Sequence, residues 1–447
     1  MNCREVTLME VLDNREARVR RQNALLARFG KPLICFTMNI PGPVKNSALI
    51  RAGFAIGCRD LTGLLGNAHI PLLHREELDA VTGCEGFFVT DGTPEAVKAL
   101  CVSLEEGTPL GRLFDLDVLT PEGRKLDRSS PRKCLICGQS ARICGPTRAH
   151  SADALQARAR EILEEGVFSD RSQAIGSLAV KSLLYEVSVT PKPGLVDRDN
   201  AGAHRDMDFY SFLSSAAALQ PFFARCARIG MDTRTLPPEE TFVRLRLPGR
   251  LAEQTMLRAT GGINTHKGAI FSLGLVCGAA GRLIFQDSCP EALLAHCAQM
   301  ARGLTARELS GVTEDTSRTA GERLFHSFGI TGIRGQAEAG FPAVLEWGLP
   351  TLEEGLSRGL SPDRAGAGAL LRLICAAEDT NLIKRGGLIR LPEIQARLTA
   401  LLEQEPFPDR ERLEALDQWF TRENLSPGGS ADLLALSFFL VFLKHSP

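Results

Sequence analysis

Residues 151–187, SADALQARAREILEEGVFSDRSQAIGSLAVKSLLYEV, divide the chain into two kinds of pattern. The first part, 151–166, reads as a polar amphipathic helix ending at Gly166, and Ser169–Asp170–Arg171 follow as a polar break. From 172 onward Ile175, Leu178, Ala179, Leu183 and Val187 recur on one side of a second helix. Upstream, short apolar runs alternate with helical spacing. Downstream, nearly every segment has helical spacing. The expectation is an α/β domain over 1–168 and an all-α domain over 169–447.

The totals agree with that division. A chain of 447 residues, 44% apolar, is long enough for two or three domains with substantial cores. A net charge of -1 argues against a broad surface for DNA or RNA. The 13 cysteines are scattered rather than framed, and MNCREVTLMEVLDNREARVRR lacks the apolar core of a signal peptide. Both point to free thiols in a reducing, cytoplasmic setting. The longest apolar runs, 268–281 and 433–443, fall short of the roughly 20 residues of a spanning helix, so no membrane partner is expected.

Working upstream, KCLICGQSARICGPTRAH (133–150) gathers Cys134, Cys137, Cys144 and His150. The spacing C-x2-C-x6-C-x5-H lies outside the common zinc patterns, so two readings stand: zinc ligands, or reduced cysteines with structural or substrate contacts. Arg132, Lys133, Arg142 and Arg148 make the segment basic. In LFDLDVL (113–119), Asp115 and Asp117 share one face of a strand, where two carboxylates can hold Mg²⁺ against a polyphosphate. Further strands are expected at 32–38, 86–90 and 97–104. NIPGPVKNS (39–47) is a rigid turn that projects Lys45, without the spacing of a P-loop. Residues 5–28 are helical, with Arg15, Arg18, Arg20 and Arg21 either on a solvated face or forming a basic rim.

Downstream, TPKPGLVDRDNAGAHRD (190–206) is too rich in proline, glycine and charge to form a core. A helix over 208–230, kinked or broken near Pro221, precedes a proline- and arginine-rich loop at 232–250. ATGGINTHKGAIF (259–271) places Asn264 or Thr265 as the cap of a helix starting at His266, with Lys267 beside its open N–H groups. Polar, glycine-rich breaks recur at 332–342, 376–387 and 424–435. They carry Asp379, Asn381, Lys384, Arg385 and Ser430.

These motifs resemble known enzymes. TPKPGLVDRDNAGAH, GGINTHKGAIFSLG, RGQAEAGFP, EDTNLIKRGG and NLSPGGSADLLA, over roughly 172–447, are similar in content and order to the triphosphoribosyl-dephospho-CoA synthase family. FTMNIPGPVKNS, GRLFDLDVLTPEG and RKCLICGQSARICGPTRAH, over roughly 5–165, resemble apo-citrate lyase phosphoribosyl-dephospho-CoA transferase. The resemblance implies a nucleotidyltransferase-like mixed sheet in the first domain, and a bifunctional transferase. The second domain would join ATP to 3′-dephospho-CoA with release of adenine. The first would transfer phosphoribosyl-dephospho-CoA to a serine of the citrate lyase acyl carrier protein (the gamma subunit) with release of pyrophosphate. Two other readings stay open: the same prosthetic-group system serving malonate decarboxylase, and a carrier-binding scaffold with one inactive domain.

Under that resemblance, Asp115 and Asp117 would hold Mg²⁺, with Lys45 and Arg112 steadying phosphates. Displacing adenine needs a base, an acid and a carboxylate near a cationic transition state. Glu186, Asp197, His204 and His266 are the catalytic candidates, with Asp197 or Glu186 favoured as base or stabiliser. Lys192, Lys267 and Arg385 would hold the triphosphate with Mg²⁺, for which Asp379 is a third ligand candidate. Asn200, Asn264, Asn381 and Ser430 would contact substrate. Asp199 and Asp206 either join this set or cap the following helix.

Overall fold

The computed structural model describes residues 4–128, 130–286, 289–309 and 320–445. It contains two compact units, Met1–Asp170 and Arg171–Pro447. The first is built on strands β1 (Leu33–Met38), β2 (Leu72–Ala80), β3 (Gly83–Thr90) and β4 (Phe114–Leu119), with helices α1 (Leu8–Phe29), α2 (Ala48–Asn67), α3 (Pro94–Gly107) and α4 (Ala141–Thr147). The strand order is β2-β3-β1-β4. The α/β expectation holds, but all three pairings are antiparallel rather than mixed.

Alternation along β1 builds two layers of core. Leu33 and Cys35 join Leu25 and Leu26 of α1 on one face. On the other, Phe36 stacks on Phe54 of α2 with ring centroids 4.8 Å apart. The strands differ from expectation in two places. Residues 97–104 lie in α3, where Val97, Cys101 and Leu104 are buried at helical spacing and Thr93 and Pro94 start the helix. The charged stretch LLHREELDA, not read as a strand, is β2, with burial alternating residue by residue. The arginines of α1 do not form an open rim: Arg18 pairs with Glu85, Arg21 with Glu76 and Arg20 with Glu16.

Helix α5 (Ala152–Ser188) is continuous, so Gly166 does not end it. That glycine serves close packing: a Cβ there would stand 2.9 Å from Leu110 Cβ. Thereafter come α6 (Phe209–Asp232), α7 (Pro238–Ala259), α8 (Lys267–Arg282), α9 (Pro290–Met300), α10 (Leu304–Leu309), α11 (Ala320–Phe328), α12 (Gly332–Glu338), α13 (Leu349–Ser357), α14 (Pro362–Ala376), α15 (Thr380–Gly386), α16 (Leu391–Gln404), α17 (Arg410–Arg422) and α18 (Gly428–Lys444). The segment expected as a loop at 232–250 is mostly α7, which runs through Pro248, just as α6 runs through Pro221. Each proline removes one backbone donor, and packing of the apolar face sustains the helix.

Helix α8 is the centre of the second unit, with α6, α7, α9 and α18 packed against it. It is buried from Leu273 to Arg282, as an all-round apolar helix must be. Among the described residues no helix is long and apolar enough to cross a membrane. Cys35, Cys58, Cys84 and Cys101 are free, buried thiols of the first unit, and Cys226, Cys277 and Cys297 of the second. Burial pushes Cys35, Cys84 and Cys101 up to about 12 and raises the others too.

Candidate active sites

In the first unit a cavity of about 1320 Å³ lies between α3, the 39–45 turn, Arg128 and the 130–155 segment. Lys45, Arg112, Arg128, Arg132, Lys133 and Arg148 line it, against Glu105 and Glu106. Both expected phosphate contacts, Lys45 and Arg112, are on its wall. Lys45 donates to Ile40 O at 2.6 Å, and Arg112 to Cys134 O at 2.6 Å.

Asp115 and Asp117 sit on the less buried face of β4, as alternation requires. Neither carboxylate stands alone. Arg132 bridges Asp115 at 2.9 Å and Glu105 at 2.5 Å, and Lys125 pairs with Asp117 at 2.6 Å. Glu105, absent from the sequence reading, is the buried pivot: it accepts the Leu116 N–H at 2.8 Å and pairs with Arg128 at 3.1 Å. Burial pushes its carboxyl up despite Arg132, the Leu116 N–H and Arg128. It was missed because α3 was expected to be extended there.

In the second unit a cavity of about 1200 Å³ opens beside α7, α8, α12 and the start of α18. The expected residues fall into three groups. Asn264, Lys267, Asp379 and Asn381 line the cavity. Asp197, Asn200, His204 and Arg385 anchor the 190–206 loop. Glu186, Lys192, His266 and Ser430 are buried.

The loop itself overturns a composition-based expectation: residues 189–197 are buried. Carboxylates make this tolerable by satisfying its backbone. Asp197 accepts the N–H groups of Lys192, Asp199 and Asn200 at 2.8–3.0 Å. Asp417 accepts from Gly194 N and Asn200 Nδ2, each at 2.9 Å. His204 bonds Ser426 Oγ at 2.8 Å and Arg385 at 3.2 Å. Neither Asp199 nor Asp206 caps α6. Asp208 does, accepting from Ser211 N at 2.8 Å, while Asp199 pairs with Arg410 at 2.6 Å.

Two helix N-termini expected to receive substrate anions are met by the protein's own side chains. Asp379 accepts from Asn381 N and Leu382 N with Oδ1, and from Ser430 N and Oγ with Oδ2. Asn264 accepts from Lys267 N at 3.2 Å, and Asp432 from Ala269 N. Asp432 was not foreseen. Its carboxylate lies so close to α8 that a Cβ on Gly268 would stand 1.9 Å from Oδ2, which explains that glycine. Burial, then the charges of Glu186 and Asp379, push Asp432 well above the ordinary carboxylate range.

Behind it lies a buried pair, Lys192 Nζ to Glu186 Oε1 at 2.5 Å. Burial raises Glu186 although Lys192 opposes the shift. His266 Nδ1 bonds Ser215 Oγ at 2.7 Å, while its buried Nε2 has no hydrogen-bond partner. Burial, with a smaller contribution from Lys192, lowers its pKa to about 3. A histidine depressed from 6.5 to about 3 destabilises the fold as pH drops below 6.5, because only the unfolded chain takes the proton. Between pH 7 and 5 this term costs about 2 kcal/mol. The raised carboxyls of Glu186, Asp379 and Asp432 act in the opposite sense. The His266 share is therefore the difference between wild type and His266→Gln, measured by urea unfolding at both pH values. An equal pH response in the two proteins would refute it.

Along α7, Phe242, Leu245, Arg246, Gly249, Arg250 and Glu253 line the cavity at helical spacing. Arg246 and Arg334 both pair with Glu308, and Lys267 pairs with Glu253 at 3.0 Å. The cavity thus has a cationic part on α7 and α12 and an acidic part at Asp379 and Asp432. Such a division suits a ligand with polyphosphate at one end and a reacting sugar at the other.

Two nucleotide-sized cavities, each lined by cations and a buried carboxylate, give the chain two candidate sites. The chain belongs to the CitX and CitG families: residues 6–166 match CitX, described as apo-citrate lyase phosphoribosyl-dephospho-CoA transferase, and 172–447 match CitG, described as ATP:dephospho-CoA triphosphoribosyl transferase. The same order occurs in Protein CitXG of Haemophilus influenzae, 38% identical over 98% of this chain and 97% of that protein. Protein CitXG of Leuconostoc mesenteroides subsp. cremoris is 36% identical over 99% and 98%. A probable 2-(5''-triphosphoribosyl)-3'-dephosphocoenzyme-A synthase of Albidiferax ferrireducens is 43% identical over 62% of this chain and 93% of its own. The chain is a bifunctional transferase.

Proposed function

We propose that residues 169–447 make, and residues 1–168 attach, the prosthetic group of citrate lyase, in the cytoplasm. The 2′-hydroxyl of 3′-dephospho-CoA attacks C1 of the ATP ribose. The bond from C1 to adenine breaks, and the triphosphate stays on the sugar. A serine hydroxyl of the citrate lyase acyl carrier protein then attacks the phosphate nearest that sugar, and pyrophosphate leaves. The observation that supports the first step is the Asp432 carboxyl, raised and bordering a cavity whose other residues include Arg246, Arg250 and Arg334. Asp432 gives its proton to the departing adenine, and the carboxylate then takes the proton of the 2′-hydroxyl. Arg246, Arg250, Arg334 and Lys267 hold the triphosphate.

Mg²⁺ fits one of the two expected places. Asp115 Oδ2 and Asp117 Oδ1 lie outside the ion pairs of those residues and are hard donors on one strand face. Bound there, the ion would neutralise the pyrophosphate leaving group. Asp379 does not fit, because protein donors take all four of its acceptor positions.

The test combines the full chain with ATP, 3′-dephospho-CoA, Mg²⁺ and apo carrier protein, then weighs the carrier and measures adenine. Both mass gain and adenine are expected, and the absence of both would end this reading. Asp115→Asn should slow carrier modification by roughly 100-fold or more while leaving adenine release intact. Normal modification by that variant would remove Asp115 from the metal site. The malonate decarboxylase carrier serves as the specificity control.

A further inference from the structure

In the first unit the segment after β4 has little of its own to hold it. Its helix α4 has seven residues with Pro146 inside, and its isoleucines, Ile136 and Ile143, are 40% and 59% exposed. A long segment that buries so little apolar surface needs another staple. Four side chains converge there. The sulfurs of Cys134, Cys137 and Cys144 and a ring nitrogen of His150 all lie within 4.8 Å of one another. The Cys137 and Cys144 sulfurs are 3.5 Å apart. Ligands about 2.3 Å from one tetrahedral ion lie about 3.8 Å from each other.

The local backbone has the form of a metal-binding turn. Cys134 N donates to Gln139 O at 2.6 Å, and Gly138 N to Cys134 O at 3.3 Å. Gly138 adopts φ 73°, which a side chain would disfavour. The N–H groups of Ile136 and Cys137 face the Cys134 sulfur. His150 Nε2 is buried without a hydrogen-bond partner. A buried ring nitrogen without a partner, beside three thiols, is a donor set suited to a cation.

We propose that Cys134, Cys137, Cys144 and His150 bind one structural zinc ion that fixes a wall of the first unit's cavity. Three thiolates and an imidazole in tetrahedral reach suit zinc over harder cations. The metal is linked to the cavity through the backbone: Cys134, Cys144 and His150 line it, and the Cys134 carbonyl holds Arg112 at 2.6 Å. With all four protein ligands engaged, the ion has no open position and is not itself a reactant.

Metal analysis of the full chain, purified without chelator, should find about one zinc per chain. Replacement by Co²⁺ should give the visible absorption of a tetrahedral thiolate site. Cys137→Ser, at an exposed cysteine, should weaken zinc retention against a chelating dye by roughly 10–100-fold. The same variant should lose carrier attachment but keep adenine release, which also reports that the protein is folded. That activity arm rests on the function proposed above; the metal and cobalt arms do not. Zinc-free protein, an iron–sulfur spectrum, a Cys137–Cys144 disulfide in the native protein, or unchanged zinc retention in Cys137→Ser would each overturn the proposal.

Discussion

Replacing Asp432 by Asn lowers adenine release from ATP by roughly 10²–10⁴-fold, the usual effect of removing a proton-transfer group. The substitution is nearly isosteric, and an Asn oxygen can still accept the Ala269 N–H that Asp432 accepts now. Loss of rate therefore reports the ionisable proton rather than loss of the α8 cap. The defect belongs in kcat, with KM for ATP little changed, because the arginines proposed to hold the triphosphate are untouched. Carrier modification from supplied triphosphoribosyl-dephospho-CoA proceeds at the wild-type rate. An Asp432→Asn enzyme with normal adenine release would transfer the role back to Glu186 or Asp197, the residues favoured on sequence.

The second large effect is on stability. Lys192→Met leaves the Glu186 carboxyl without its cation at a residue that is 4% exposed, to stay unpaired or take up a proton, and should destabilise the second unit by about 3–5 kcal/mol. Adding Glu186→Gln removes the orphaned carboxyl and should recover most of that loss. The two tryptophans, Trp347 and Trp419, both belong to this unit, so fluorescence in a urea titration follows it alone. Equal midpoints for Lys192→Met and wild type would mean that the pair does not stabilise the fold. Lys192 does not line the cavity, so its anticipated part as a phosphate contact gives way to a proposed part in holding Glu186 beside Asp432.

Sequence pattern revealed the strand LFDLDVL and the apolar helix at 268–281 because single periodicities dominate those stretches. It failed where two signals conflict. Pro248 masked α7, and with it the i, i+4 spacing that brings Arg246 and Arg250 to one cavity. Gly166 mimicked a helix end, although it marks a close packing contact. The loop at 190–206 reads as unable to join a core because composition does not reveal that Asp197 and Asp417, distant in sequence, satisfy its buried N–H groups. Asp432 did leave a trace: it is the lone charge at the head of the run LLALSFFLVFL, where an ionised group has no reason to sit unless something nearby uses it.

The buried thiols described above make each unit report on its own opening. At neutral pH an alkylating reagent meets little thiolate at Cys35, Cys58, Cys84 and Cys101, or at Cys226, Cys277 and Cys297, until the surrounding core separates. Mass spectrometry of peptides after timed labelling then gives two opening rates from a single tube, without introduced dyes or mutations. Exposed Cys289 would label at once and mark time zero for both.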